Sequence, residues 1–117
     1  DRGMESMRVA VGAGMNRLHM PEDRGHEIAA ERLARAYGWL DGALDGRTWA
    51  AGEDFTMADC AAAPSLFYAD WTHPMSEAYP TLRAYRARLL ARPSFARAVE
   101  GGRPFRHYFP LGAPDRD

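Results

Sequence analysis

The chain has no lysine, a single cysteine and almost no net charge: all 15 basic residues are arginine, set against 16 carboxylates, which leaves −1 at pH 7. One cysteine excludes an internal disulfide and suits a reducing, cytoplasmic location. Near neutrality excludes nucleic-acid or membrane-surface binding that rests on bulk charge. No apolar run approaches the ~18 residues of a membrane span, and no signal-peptide pattern opens the chain. The arginines admit two readings, phosphate or carboxylate recognition and the bias of a GC-rich coding sequence, of which the second is simpler. Neither a strand-like alternation of apolar and polar residues nor an internal repeat is found. The length, 117 residues, suits one domain spanning 1–117, able to bury about two-thirds of its unfolded surface. The first residue is Asp1 rather than methionine, which reads as a piece of a longer protein.

What is present is helical periodicity. Met4, Met7, Val11, Met15 and Leu18 recur at spacings of three and four and predict a helix over 3–20; Gly12 and Gly14 within it each cost about 1 kcal/mol relative to alanine. Pro21 ends it, and 21–25 reads as a loop. Ala30, Leu33, Tyr37, Leu40 and Leu44 form a second stripe, predicting a helix over 26–44 that Asp45-Gly46 stops. Residues 46–55 read as a loop anchored by Trp49. A third helix is predicted over 56–72, a fourth over 80–91 on the stripe Leu82, Tyr85 and Leu89, and a short fifth over 93–100. Pro93 suits the first turn of that last helix, and Gly101-Gly102 closes it. The tail, 103–117, reads as an irregular strap. The expected fold is therefore all-α, a five-helix bundle with an extended tail.

The start of the third helix is the most specific feature. Thr56 and Asp59 have the spacing of a capping box, the hydroxyl accepting from a first-turn amide while the carboxylate reaches back to the amide of Thr56. Phe55 and Cys60 have the spacing of a hydrophobic staple. No charge follows Asp59 until Asp70, so Cys60–Ala69 has no polar face, and a helix apolar all round belongs inside a bundle. By this reading Cys60 is buried and inert. Pro64 removes one amide and crowds the carbonyl of Cys60, predicting a bend.

Candidate sites are few. His19, His26, His73 and His107 are scattered, without the close ligand spacing of a zinc site, and no metal is expected. Arg83, Arg86, Arg88, Arg92 and Arg97 could meet an acidic partner, but read more simply as a solvated helix face. Tyr68 and Trp71 lie three apart in the last turns of the third helix. They either pack in the core or line an apolar pocket, where such rings present a face and a polar tip to a ligand.

Taken together, Trp49-Ala50-Ala51-Gly52-Glu53-Asp54-Phe55-Thr56-Met57-Ala58-Asp59 resembles the W-x-A-G-x-x-F-(S/T)-x-A-D signature of the C-terminal domain of glutathione transferases. Tyr79-Pro80-Thr81-Leu82-Arg83-Ala84-Tyr85 and Ala91-Arg92-Pro93-Ser94-Phe95 resemble its next landmarks, in order and at the right distances. The resemblance spans roughly 4–109 and is greatest to the bacterial soluble enzymes. It implies that Phe55, Thr56 and Asp59 serve folding, and that the catalytic residue and the glutathione site belong to a thioredoxin-like N-terminal domain with no counterpart here. No catalytic residue is expected in this chain, which would supply the pocket for a hydrophobic small molecule and part of a homodimer interface. The resemblance places Tyr68 at that pocket, with Trp71 beside it and Met7 and Val11 on the opposite wall. A second reading is a non-catalytic docking module, as helical domains of this family form in elongation-factor and synthetase complexes.

Overall fold

The computed structural model describes residues 23–117, with side chains from Gly25 onward. Among the described residues the architecture is four α-helices and one 3-10 helix: α1 (Asp23–Ala43), α2 (Met57–Thr72), α3 (Pro80–Ala91), α4 (Pro93–Gly102) and the 3-10 helix Arg103–Tyr108. No strand occurs among them, only an isolated bridge between Trp49 and Gly52. The helix expected over 3–20, with Met7 and Val11, lies outside the described residues.

Two boundaries differ from expectation. α1 begins at Asp23, inside the segment read as a loop; Gly25 in its first turns costs only about 1 kcal/mol relative to alanine and does not stop it. At the other end Gly101-Gly102 does not stop α4. Gly102 keeps a right-handed helical conformation (φ −81°, ψ −14°), and the chain passes directly into the 3-10 helix with Pro104 in its first turn. The first part of the tail is thus helical, and the irregular strap is confined to residues 109–117.

The apolar stripes meet as their spacing requires. Leu33, Tyr37 and Leu44 pack with Ala63, Leu66 and Ala69 of α2, with Met75, and with Leu82, Tyr85 and Leu89 of α3. Polar ties across the core fix the helices to one another. The Tyr37 hydroxyl donates to the carbonyl of His73 at 2.6 Å. Asp41 of α1 accepts the amide of Leu82 at 2.9 Å, filling the capping role that Tyr79, the residue before α3, does not supply with its own side chain. Gly46, at φ +75°, makes the turn after α1 that a side chain would strain.

The α2 cap closes in both directions. Thr56 Oγ1 accepts from the amide of Ala58 at 3.3 Å and the reciprocal Asp59 bond to the Thr56 amide is 2.9 Å. Thr56→Ala is expected to cost about 1 kcal/mol, read as a lowered midpoint in urea with an unchanged slope. The staple is not formed as expected: Cys60 is exposed. Phe55 instead meets Trp49 edge-on, ring centres 5.1 Å apart, and lies under the Arg92 guanidinium at 3.5 Å.

α2 is also less central than its composition implies. Met57 is 82 % exposed and Tyr68 39 %, and Cys60, Ala61 and Pro64 on the same side are exposed too. An apolar sequence has no preferred face, so only packing decides which side is covered. The arginine run is divided as well. Arg92 covers Phe55, Arg88 donates to the carbonyls of Arg47 and Thr48, and the Arg86 side chain is only 12 % exposed; Arg83 and Arg97 are exposed, as expected of a solvated face.

Candidate functional site

An aromatic groove of about 530 Å³ runs between the second half of α2 on one side and α4, the 3-10 helix and the strap on the other. The volume falls in the range of small-molecule sites. α2 contributes Pro64, Phe67, Tyr68 and Trp71, α4 contributes Phe95 and Val99, and Phe105, Arg106, Tyr108 and Phe109 complete the far wall. A helix brings together residues three and four positions apart, so Trp71 meets both Tyr68 and Phe67 and the three rings form one patch.

The rings hold one another. Tyr68 stacks on Phe109 with ring centres 5.7 Å apart and planes 15° from parallel. Trp71 stands edge-on to both, at 5.3 Å from Tyr68 and 5.4 Å from Phe109. Phe67 packs behind them, 4.8 Å from Trp71 and 5.8 Å from Phe95. Such contacts between rings add about 0.5–1.5 kcal/mol each beyond area burial. Phe67 is buried, whereas Tyr68 and Tyr108 keep open faces.

Polar groups in the lining are few. The Arg106 guanidinium lies 4.9 Å from the centre of the Trp71 ring. It is tethered there by bonds to Asp117 and the carbonyl of Arg116. The buried Trp71 indole Nε1 has no hydrogen-bond partner among the described residues. Among the described residues the lining contains no serine, cysteine, histidine or carboxylate. The arrangement can therefore bind and orient a flat apolar molecule, with Tyr68, Tyr108 and Arg106 as the lining residues that carry hydroxyl or charged groups.

Near the opposite end of α2, Asp59 is fully buried. It accepts from the amides of Thr56 and Ala50, at 2.9 and 2.8 Å, and from the Tyr85 hydroxyl at 2.5 Å. Burial pushes its carboxyl up, but the three donors outweigh that and hold it below the ordinary value. Burial and the same contact push the Tyr85 phenol up. This is a folding site, and none of these residues lines the groove.

Of the residues singled out from sequence, Tyr68 and Trp71 come together in the groove, and Phe55, Thr56 and Asp59 at the helix start. Met7 and Val11 lie outside the described residues. The far wall was missed, although the spacing of Phe105, Tyr108 and Phe109 is that of one helical face. Among the described residues no group of three or more His, Cys, Asp or Glu is placed to hold a metal. None of their helices is long and apolar enough to cross a membrane.

Fold and groove together define a class: a domain that is all-α among its described residues and offers an aromatic binding surface. Compared with protein families, the chain matches "Glutathione S-transferase, C-terminal domain" over residues 7–93. It belongs to that family. Comparison with curated proteins and with solved structures returned no match. The match includes α2 and its groove residues but ends at Pro93, so the wall built from α4 and the 3-10 helix lies beyond it.

Proposed function

We propose that this chain is the electrophile-binding half of a bacterial, cytoplasmic glutathione transferase that works as a homodimer. The single observation that carries this reading is the aromatic groove around Tyr68 and Trp71, on a chain of that family. Glutathione is a charged tripeptide, and the groove lining, with rings and one tethered guanidinium, is the wrong chemistry for it. Its site and the group that stabilises its thiolate belong to a thioredoxin-like N-terminal domain. When bound there, glutathione supplies the attacking thiolate. This chain's own contribution is to hold the hydrophobic acceptor flat against Tyr68, Phe109 and Trp71, exclude water from it and limit its orientations, an entropic advantage for the reaction. A ligand with a hydrogen-bond acceptor would also give the Trp71 N–H a partner, where an unmade buried bond costs about 1–3 kcal/mol.

The test is a titration of the 117-residue chain with a chloro-nitrobenzene acceptor, followed by tryptophan quenching, with glutathione conjugation assayed in parallel. Saturable binding without conjugation is expected, and Tyr68→Ala should weaken binding by about tenfold, the equivalent of one lost stacking contact. Conjugation by this chain alone would refute the division of labour. Absence of binding would favour the protein-docking reading instead.

A further inference from the structure

A second cleft, which shares no lining residue with the aromatic groove, opens beside the end of α2 and α3. Its lining holds three guanidinium groups, Arg83, Arg86 and Arg116, and one carboxylate, Asp70. The remaining lining is apolar, chiefly Pro74, Met75 and Leu90, and the volume is about 430 Å³. The cleft thus holds three positive groups against one negative.

Asp70 is already committed. One of its oxygens accepts the amide of Met75 at 2.7 Å. The other pairs with Arg116 and lies 3.7 Å from Nη2 of Arg86. The Asp117 carboxylate, next to Arg116 in the chain, is taken by Arg103 and Arg106. Arg86 donates from Nε and Nη2 to the carbonyls of Leu66 and Phe67, at 3.4 and 3.3 Å. Its Nη1 has no hydrogen-bond partner among the described residues, and the side chain of Arg83, exposed on the cleft wall one helical turn earlier, has no partner among them at all. Burial lowers the Arg86 pKa, the attraction of Asp70 offsets part of that, and the nearby Arg116 charge lowers it further. The fall thus comes from burial, since Asp70 raises the pKa by more than Arg116 lowers it; what the cleft offers is three guanidinium groups against one carboxylate, with unused donors on Arg83 and Arg86.

We infer that this cleft is a binding site for an oxyanion, a carboxylate or phosphate group carried on a small apolar body. Arg83 and the free end of Arg86 would receive the oxygens in the planar geometry that guanidinium groups offer to such anions. Pro74, Met75 and Leu90 would cover the apolar part. The site stands on the cleft's own residues and is independent of the glutathione-transferase reading of the groove.

The test is calorimetric titration of the full chain with sodium propionate and, separately, with inorganic phosphate, each against sodium chloride at matched ionic strength. Saturable binding of at least one oxyanion is expected, and the tighter of the two identifies the head group. R83Q should weaken it by about five- to tenfold through loss of a charged donor. R97Q, which removes the same charge from an exposed site on α4 outside the cleft, should leave it unchanged. Because the Arg83 side chain has no partner among the described residues, an unchanged melting temperature will show that R83Q is folded. Binding of neither oxyanion beyond chloride would overturn the proposal, as would equal weakening by R83Q and R97Q, which would reduce the effect to general charge.

Discussion

Asp59→Ala is expected to destabilise the domain by about 3–5 kcal/mol, several times the cost of removing the Thr56 cap. The difference comes from where the partners lie. Thr56 offers one hydroxyl to the start of α2, and water can replace it. Asp59 is fully buried and joins three elements: the α2 start through Thr56, the preceding loop through Ala50, and α3 through Tyr85. Removing the carboxylate leaves the Tyr85 hydroxyl without its acceptor in a buried site, and the loop without its tether. A melting temperature lowered by more than about 10 °C would agree with this. A loss no larger than that of Thr56→Ala would reduce Asp59 to an ordinary cap.

The same carboxylate sets an acid limit. Its folded value is held below that of the unfolded chain, about 3.9. The unfolded state therefore takes up the proton first as pH falls. The stability contributed by Asp59 is fully present above the unfolded value and is lost as pH falls through the folded one. Asp59→Asn should accordingly flatten the fall in stability below about pH 4, measured by urea unfolding across that range. An acid limb of unchanged steepness would assign it to other carboxylates.

Phe67→Ala is expected to cost a further large amount, about 3–5 kcal/mol in thermal or urea unfolding. Phe67 is buried between the groove and the core, with Tyr68, Trp71 and Phe95 against its edges and the Arg86 guanidinium 5.2 Å from its centre. Truncation would leave a cavity that these neighbours cannot close without giving up their own contacts. It should also weaken the groove's hold on an aromatic ligand, because the rings lining the groove rest on Phe67. Tyr68→Ala, at a half-exposed position, should instead change binding far more than stability. Equal stability losses in the two variants would contradict this separation of support from contact.

The two features read most directly from sequence were both local. The capping box was legible because its donors and acceptors are separated by three residues, a distance over which helix geometry alone places them. The pairing of Tyr68 with Trp71 was legible for the same reason. Asp59 as the tie between three elements was not, since Ala50 lies 9 residues away and Tyr85 lies 26. The burial expected of Cys60 failed because ten uncharged residues in succession state that a helix is apolar without stating which side is covered. The solvated face expected of the arginine run failed at Arg86 because charge predicts exposure only where no carbonyl or carboxylate is brought to meet it.

By itself the sequence determined the all-α class, the helices among the described residues to within a few positions, the cap of α2 and the family of the domain. All of these rest on patterns repeated within one or two helical turns or held at fixed separations along the chain. Only the tertiary structure decided which face of α2 is open, that Phe105 to Phe109 return to it as the far wall of an aromatic groove, and that Arg83, Arg86 and Arg116 line one cleft with Asp70. Those arrangements depend on contacts between residues as many as 46 positions apart, and no local spacing encodes where a distant side chain will arrive.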